Sequence, residues 1–288
     1  MTHKFLLAFI CLLALAPGCS RNASNSRQSA ITVSILPQKF LVERICRDKF
    51  QVNVLLPPGA NHETFEPTPR DMASLQGAKL YFSEGYLDFE LYWLPRFADS
   101  QPGLKIINTS EGVDLIYSNH DSGAKAGKGI DPHTWLSPGN AKLQAKHIAD
   151  ALILADSGNH QFYLENLHNF ENLADSVDRE IKKLLGNLKN KSFLIFHPAL
   201  AYFAKEYGLE QICIEDEGKE PSAERIKGII DEAKAKQIKL IFVSKEFDTR
   251  NAEAIAAEIH GKIIVFDPMS DDWAANLIHL AQLMAENQ

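Results

Sequence analysis

The chain has 288 residues, 45% of them hydrophobic and 23% charged, an ordinary globular composition with room for one large domain or two of ~100–150 residues. Its formal net charge of −7 offers no electrostatic case for nucleic acid. Four cysteines are present, but Cys11 and Cys19 belong to the N-terminal segment. Cys46 and Cys213 sit apart in apolar contexts, where a free cysteine behaves as a small hydrophobe and no disulfide between them is expected.

The N-terminus reads as an export signal. Lys4 precedes the apolar run "FLLAFICLLALA" (Phe5–Ala16), which is too short to span a bilayer as a mature helix. A small residue before Cys19 at the end of this run resembles a bacterial lipobox, so residues 1–18 are expected to be removed and Cys19 to carry lipid. Residues 19–30, rich in Ser, Asn and Arg, read as a flexible tether.

Strands and helices then alternate. "ITVSIL" (Ile31–Leu36) reads as a buried strand, Lys39–Asp48 as a helix and "FQVNVLL" (Phe50–Leu56) as a second strand. Thr68 is a plausible N-cap for a helix with Pro69 at its first position. "KLYFSE" and "LKIINT" are further strands, with a helix around Leu87–Phe97 between them. A polar loop over Ser118–Gly129 leads to an amphipathic helix at Asn140–Asp156. Apolar residues at three- and four-residue steps from Asn159 to Leu188 then predict a helix of roughly 40 Å. Four strand–helix units follow, with strands "SFLIF", "QICIE", "KLIFVS" and "KIIVF". Apolar, β-branched runs alternating with helices imply parallel sheets covered on both faces. The expected architecture is α/β: a first lobe over 31–156, a single long linking helix over 157–190 and a second lobe over 191–288.

Ten histidines need sorting, of which His3 lies in the export signal. His147, His160, His168, His260 and His279 fall within helical patterns, where surface or satisfied core roles are commonest. His120 lies in the polar loop, a secondary metal contact at most. Three others differ. His62 stands in "LLPPGANHETFEPTPRDM", His133 in "DPHTWLSP", and His197 just past "SFLIF" and before Pro198. Asp267 has the same placement past "KIIVF", before Pro268. Ligands of open α/β sheets bind outside the carboxyl ends of the strands, and a neighbouring proline restricts the backbone that carries each side chain. The four residues are about seventy positions apart, which excludes a local zinc finger and leaves only a site assembled by the tertiary fold. Three imidazoles and a carboxylate suit Zn2+, and would also accept Mn2+ or Fe2+ with lower intrinsic affinity. Taken singly, each histidine is more often a loop residue that caps a helix or bonds a backbone carbonyl.

"SILPQKFLVERI", "LLPPGANHETFEPTPRDM", "DPHTWLSPGNAKLQAKHIADAL", "FHPALAYFAKEYGL" and "EPSAERIKGIIDEAKAKQIKLIFVSKEF" together resemble the solute-binding lipoproteins of bacterial zinc and manganese ABC transporters, the ZnuA/TroA-like group. The resemblance implies two lobes joined by a rigid helix, with metal held between them by His62, His133, His197 and Asp267. It implies a membrane permease as partner, an exported and lipid-anchored monomer, and no catalysis. Histidine at the third ligand position tilts the metal toward zinc. The loop before "DPH" carries one histidine where many zinc-type members have a His-rich stretch, so scavenging by that loop is not expected here. Asn61 stands where some members have an acid, which throws the carboxylate role onto Asp267, with Glu63 and Glu66 as lesser candidates. A modest lobe tilt or loop movement is expected on binding. Two rival readings are an adhesin, which nothing in the residues supports independently, and a secreted zinc hydrolase with Glu63 as its base, for which the HExxH helix is lacking.

Overall fold

A computed structural model describes residues 30–117, 129–215, 220–247 and 249–287; the N-terminal segment with Cys19, and His120, lie outside them. The first lobe contains β1 (Ala30–Val33), α1 (Leu36–Cys46), β2 (Gln51–Val54), α2 (Pro69–Ser74), β3 (Leu80–Ser83), α3 (Asp88–Ser100), β4 (Lys105–Asn108) and α4 (Pro138–Ala155). Next comes α5 (His160–Leu185). The second lobe contains β5 (Ser192–Ile195), α6 (Ala201–Tyr207), β6 (Glu210–Cys213), α7 (Ala223–Ala235), β7 (Leu240–Val243), α8 (Arg250–Ile259), β8 (Lys262–Val265) and α9 (Trp273–Glu286).

Each lobe is built on one parallel four-stranded sheet, and the two share one strand order, β2-β1-β3-β4 and β6-β5-β7-β8. In both, the chain leaves the first strand toward one edge and later returns to its other side. Such a reversal opens a crevice at the carboxyl ends of the strands. Local chemistry sets the element ends. Helix α1 begins at Leu36, ahead of the expected Lys39, because Pro37 fits a first turn, where its missing N–H costs nothing. Thr68 and Asp71 form a reciprocal capping box that starts α2 with Pro69 in its first turn.

The 26 residues of α5 span about 39 Å. Tyr163, Asn166, Phe170, Ala174, Val177, Ile181 and Leu185 form its buried stripe at three- and four-residue steps. That stripe meets both lobes: Asn166 Nδ2 donates to the Ile45 carbonyl in α1 at 3.0 Å, and the Phe170 ring lies 5.6 Å from that of Trp273 in α9. Two fully buried tryptophans pin the lobes to each other. Trp135 Nε1 donates to the Pro268 carbonyl at 2.9 Å, and Trp273 Nε1 to the Trp135 carbonyl at 2.7 Å. One hydrophobic cluster runs through both lobes, from Ile31 and Phe82 to Phe242 and Met284; a second, with Leu194, Ile229 and Ile255, packs α7 and α8 on the second sheet. A large apolar interface resists rigid-body domain motion. No helix among the described residues is long and apolar enough to cross a membrane.

Candidate metal centre

Three loops deliver three imidazoles to one point. After β2, Leu55 and Leu56 prolong the pairing by donating to the carbonyls of Val33 and Ser34. The chain then turns through "PPG" to His62. There Asn61 Oδ1 accepts the Glu63 N–H at 2.8 Å, an Asx turn that fixes the loop locally. His133 precedes the short 3-10 turn Thr134–Leu136, which leads into α4. His197 follows β5, whose pairing Phe196 prolongs: its N–H donates to the Phe242 carbonyl at 2.9 Å and its carbonyl accepts the Glu215 N–H at 3.1 Å.

The ring centroids form a nearly equilateral triangle, with separations of 5.1 Å (His62–His133), 5.5 Å (His62–His197) and 5.2 Å (His133–His197). One ligand nitrogen from each lies within 4.8 Å of the others. All three side chains are buried, and their Nε2 atoms have no hydrogen-bond partner among the described residues. Buried polar atoms are nearly always bonded, so three orphaned lone pairs facing one another need an explanation.

The opposite ring nitrogens explain the orientation. His133 Nδ1 lies 2.8 Å from Asp131 Oδ1, which also accepts the His133 N–H at 2.8 Å. His197 Nδ1 lies 3.0 Å from Glu215 Oε1, a carboxylate just past β6, the strand beside β5. A carboxylate partner makes each Nδ1 the donor and leaves the lone pair on Nε2. Burial, and then the charges of His133 and His197, hold the His62 pKa well below the usual histidine value, which keeps its lone pair free. Burial likewise opposes charge on His197, but the Glu215 hydrogen bond and the charges of Glu63, Glu215 and Asp131 outweigh it and raise that pKa. The Phe247 ring stacks on His197 at 4.9 Å and 14°, walling off one face.

Two acids named from the sequence make other contacts in the structure. Glu63 Oε1 approaches His197 at Nδ1, 3.6 Å away, so it competes with Glu215 for the outer proton rather than adding a donor beside Nε2. Asp267 is in neither of the two His/Glu clusters found among the described residues. Its Oδ2 pairs with Lys245 Nζ at 3.1 Å and its Oδ1 accepts the Met269 N–H at 2.9 Å. Its neighbour Pro268 accepts the indole N–H of Trp135, two residues beyond His133. Asp131, Glu215 and Phe247 are participants that the sequence reading missed. Only Asp131 carries a local signal, two positions before His133.

A family model described as "Zinc-uptake complex component A periplasmic", ZnuA, matches residues 31–287. The chain belongs to the ZnuA family. It is 28% identical to the high-affinity zinc uptake system protein ZnuA of Bacillus subtilis, over 92% of this chain and 87% of that one. It is 28% identical to the manganese ABC transporter substrate-binding lipoprotein PsaA of Streptococcus pneumoniae, over 88% of this chain and 84% of the relative. A crystal structure of a ZnuA superposes with a TM-score of 0.84 at 37% identity, covering 90% of this chain and 98% of the other. ZnuA-family proteins are substrate-binding components of transport systems rather than enzymes, which sets the hydrolase reading aside.

Glu215→Ala is expected to weaken metal binding by about 10- to 100-fold without unfolding the chain, the usual cost of losing the acceptor behind a ligating imidazole. A chelator-competition titration beside a circular-dichroism spectrum measures both.

Proposed function

We propose that this chain is the extracytoplasmic solute-binding component of a metal ABC importer, which captures one Zn2+ between its lobes and passes it to a membrane permease. The observation that carries the reading is the set of three buried, unpartnered Nε2 atoms of His62, His133 and His197, converging from both lobes. Asp267 would complete the set as the carboxylate, drawn to the ion by its side chain alone. Three neutral imidazoles and one carboxylate offset half of the ion's charge and fit a four-coordinate nitrogen/oxygen site. Glu215 and Asp131 would hold the imidazoles in the ligating tautomer.

The same reading extends to the whole chain. Residues 1–18 would be removed, Cys19 would carry the lipid, residues 19–30 would tether the protein to the membrane, and lobes 31–156 and 191–288 would work as a monomer. The polar loop with His120 would touch metal in passing at most. The experiment is to purify the protein without chelator and measure its metal content. One equivalent of zinc is expected in the wild type and none in His197→Ala; equal content in both would sink the assignment. Mn2+ (or Fe2+) is the second reading, favoured by the manganese-named relative.

A further inference from the structure

Lys245 and Asp267 meet across the ends of adjacent strands, β7 and β8, in loops linked by their neighbours to the histidine triangle. Both loops are tied to it. Phe247, two residues beyond Lys245, stacks on the His197 ring, and Pro268, beside Asp267, accepts the Trp135 indole N–H. The backbone under Asp267 is fixed too, since its carbonyl accepts from Asn276 Nδ2 at 2.8 Å. The Asp267 side chain, 34% exposed, divides its oxygens between two donors: Oδ1 accepts the Met269 N–H and Oδ2 meets the ammonium of Lys245, 58% exposed. An ion that takes Asp267 must therefore draw its carboxylate off the Lys245 ammonium.

We propose that Lys245 is a competing internal cation for the Asp267 carboxylate, and that this competition weakens metal capture and speeds release. The proposal rests on the ligand role assigned to Asp267 above. Lys245 touches none of the three histidines in any recorded ion pair or hydrogen bond among the described residues, so it acts through Asp267. When the ion leaves, the ammonium recaptures the carboxylate and disfavours rebinding, a useful property in a protein that must give up its cargo. A partly exposed ion pair is worth up to about 1 kcal/mol, which sets the expected effect at about three- to fivefold in affinity.

The test is a double-mutant cycle read by zinc titration against a chromophoric chelator and by stopped-flow release into excess chelator. Lys245→Met should bind zinc about three- to fivefold more tightly, with the gain in a slower off-rate, and Lys245→Arg should match the wild type. On an Asp267→Asn background, Lys245→Met should change neither number. If Lys245→Met leaves affinity and off-rate alone, or shifts them equally with and without Asp267, the competition does not exist, while the histidine site stands. If instead Asp267→Asn itself binds as the wild type does, the ligand assignment of Asp267 falls and takes the proposal with it.

Discussion

His197→Ala is expected to lose at least about 100-fold in zinc affinity while keeping its fold. Removing the carboxylate behind a ligating imidazole costs 10- to 100-fold, so removing the donor itself must cost more. His197 is 5% exposed and sits against Phe247 and Glu215, and its loss also leaves the Glu215 carboxylate without its imidazole partner. His62→Ala and His133→Ala should behave alike, because each contributes one of the three orphaned Nε2 atoms. His168→Ala provides the contrast. That residue is 73% exposed on α5, beside Glu171, and its replacement should leave the affinity unchanged. Equilibrium titration of the four variants makes the comparison, and equal losses in all four would deny the triangle any special role.

The second large effect concerns stability and pH. Glu84 and Glu90 are buried in the first lobe, and among the described residues no basic side chain is hydrogen-bonded to either. Glu84 Oε2 accepts from Gln144 Nε2 at 2.6 Å, Thr134 Oγ1 at 3.0 Å and Ser110 Oγ at 3.2 Å. Glu90 accepts the backbone N–H groups of Glu84 at 2.8 Å and Gly85 at 2.6 Å, and also bonds Ser34 Oγ. Burial, and then the charge of Glu90, push the Glu84 carboxyl up to about 8; burial pushes Glu90 up to about 7. An acid with a raised folded pKa holds its proton more tightly when folded. Its contribution to stability is therefore complete below the unfolded value near 4.5 and is lost as pH rises through the folded value. The protein should lose stability between pH 5 and 8, by roughly 3–5 kcal/mol if Glu84 alone governs the loss. Glu84→Gln, which mimics the protonated acid, should remove the Glu84 share of that slope, leave the share carried by Glu90, and be the more stable protein at pH 9. Denaturant melts of both proteins at pH 5, 7 and 9 decide the point, and parallel pH profiles would contradict it. The network reaches the metal centre through Thr134, the residue after His133, so it also stiffens that loop.

The α/β alternation and the long linking helix were legible because parallel strands buried on both faces read as unbroken apolar runs, and because α5 keeps a three- and four-residue stripe over its whole length. The three histidines were legible because each follows a strand or turn and is flanked by proline or glycine. What escaped depended on which strands lie side by side. Glu215 meets His197 only because β6 pairs with β5, and Lys245 meets Asp267 only because β7 pairs with β8. Neither adjacency is written in the local sequence. Glu84 escaped for a related reason. An acid at the end of "KLYFSE" reads as a solvated strand terminus, and only the packing of α4, with Gln144, encloses it. Element ends shifted where one residue outweighed the periodicity, as Pro37 did at the start of α1.

Three imidazoles held between two lobes are expected to bind a divalent metal and to select zinc. One measurement tests this directly: a titration of the metal-free protein with zinc against a chelator of known affinity, repeated with manganese in competition. The predicted result is one zinc per chain, bound more tightly than manganese, as imidazole donors favour on the Irving–Williams ordering. Failure to bind zinc stoichiometrically, or displacement of bound zinc by an equal concentration of manganese, would contradict it.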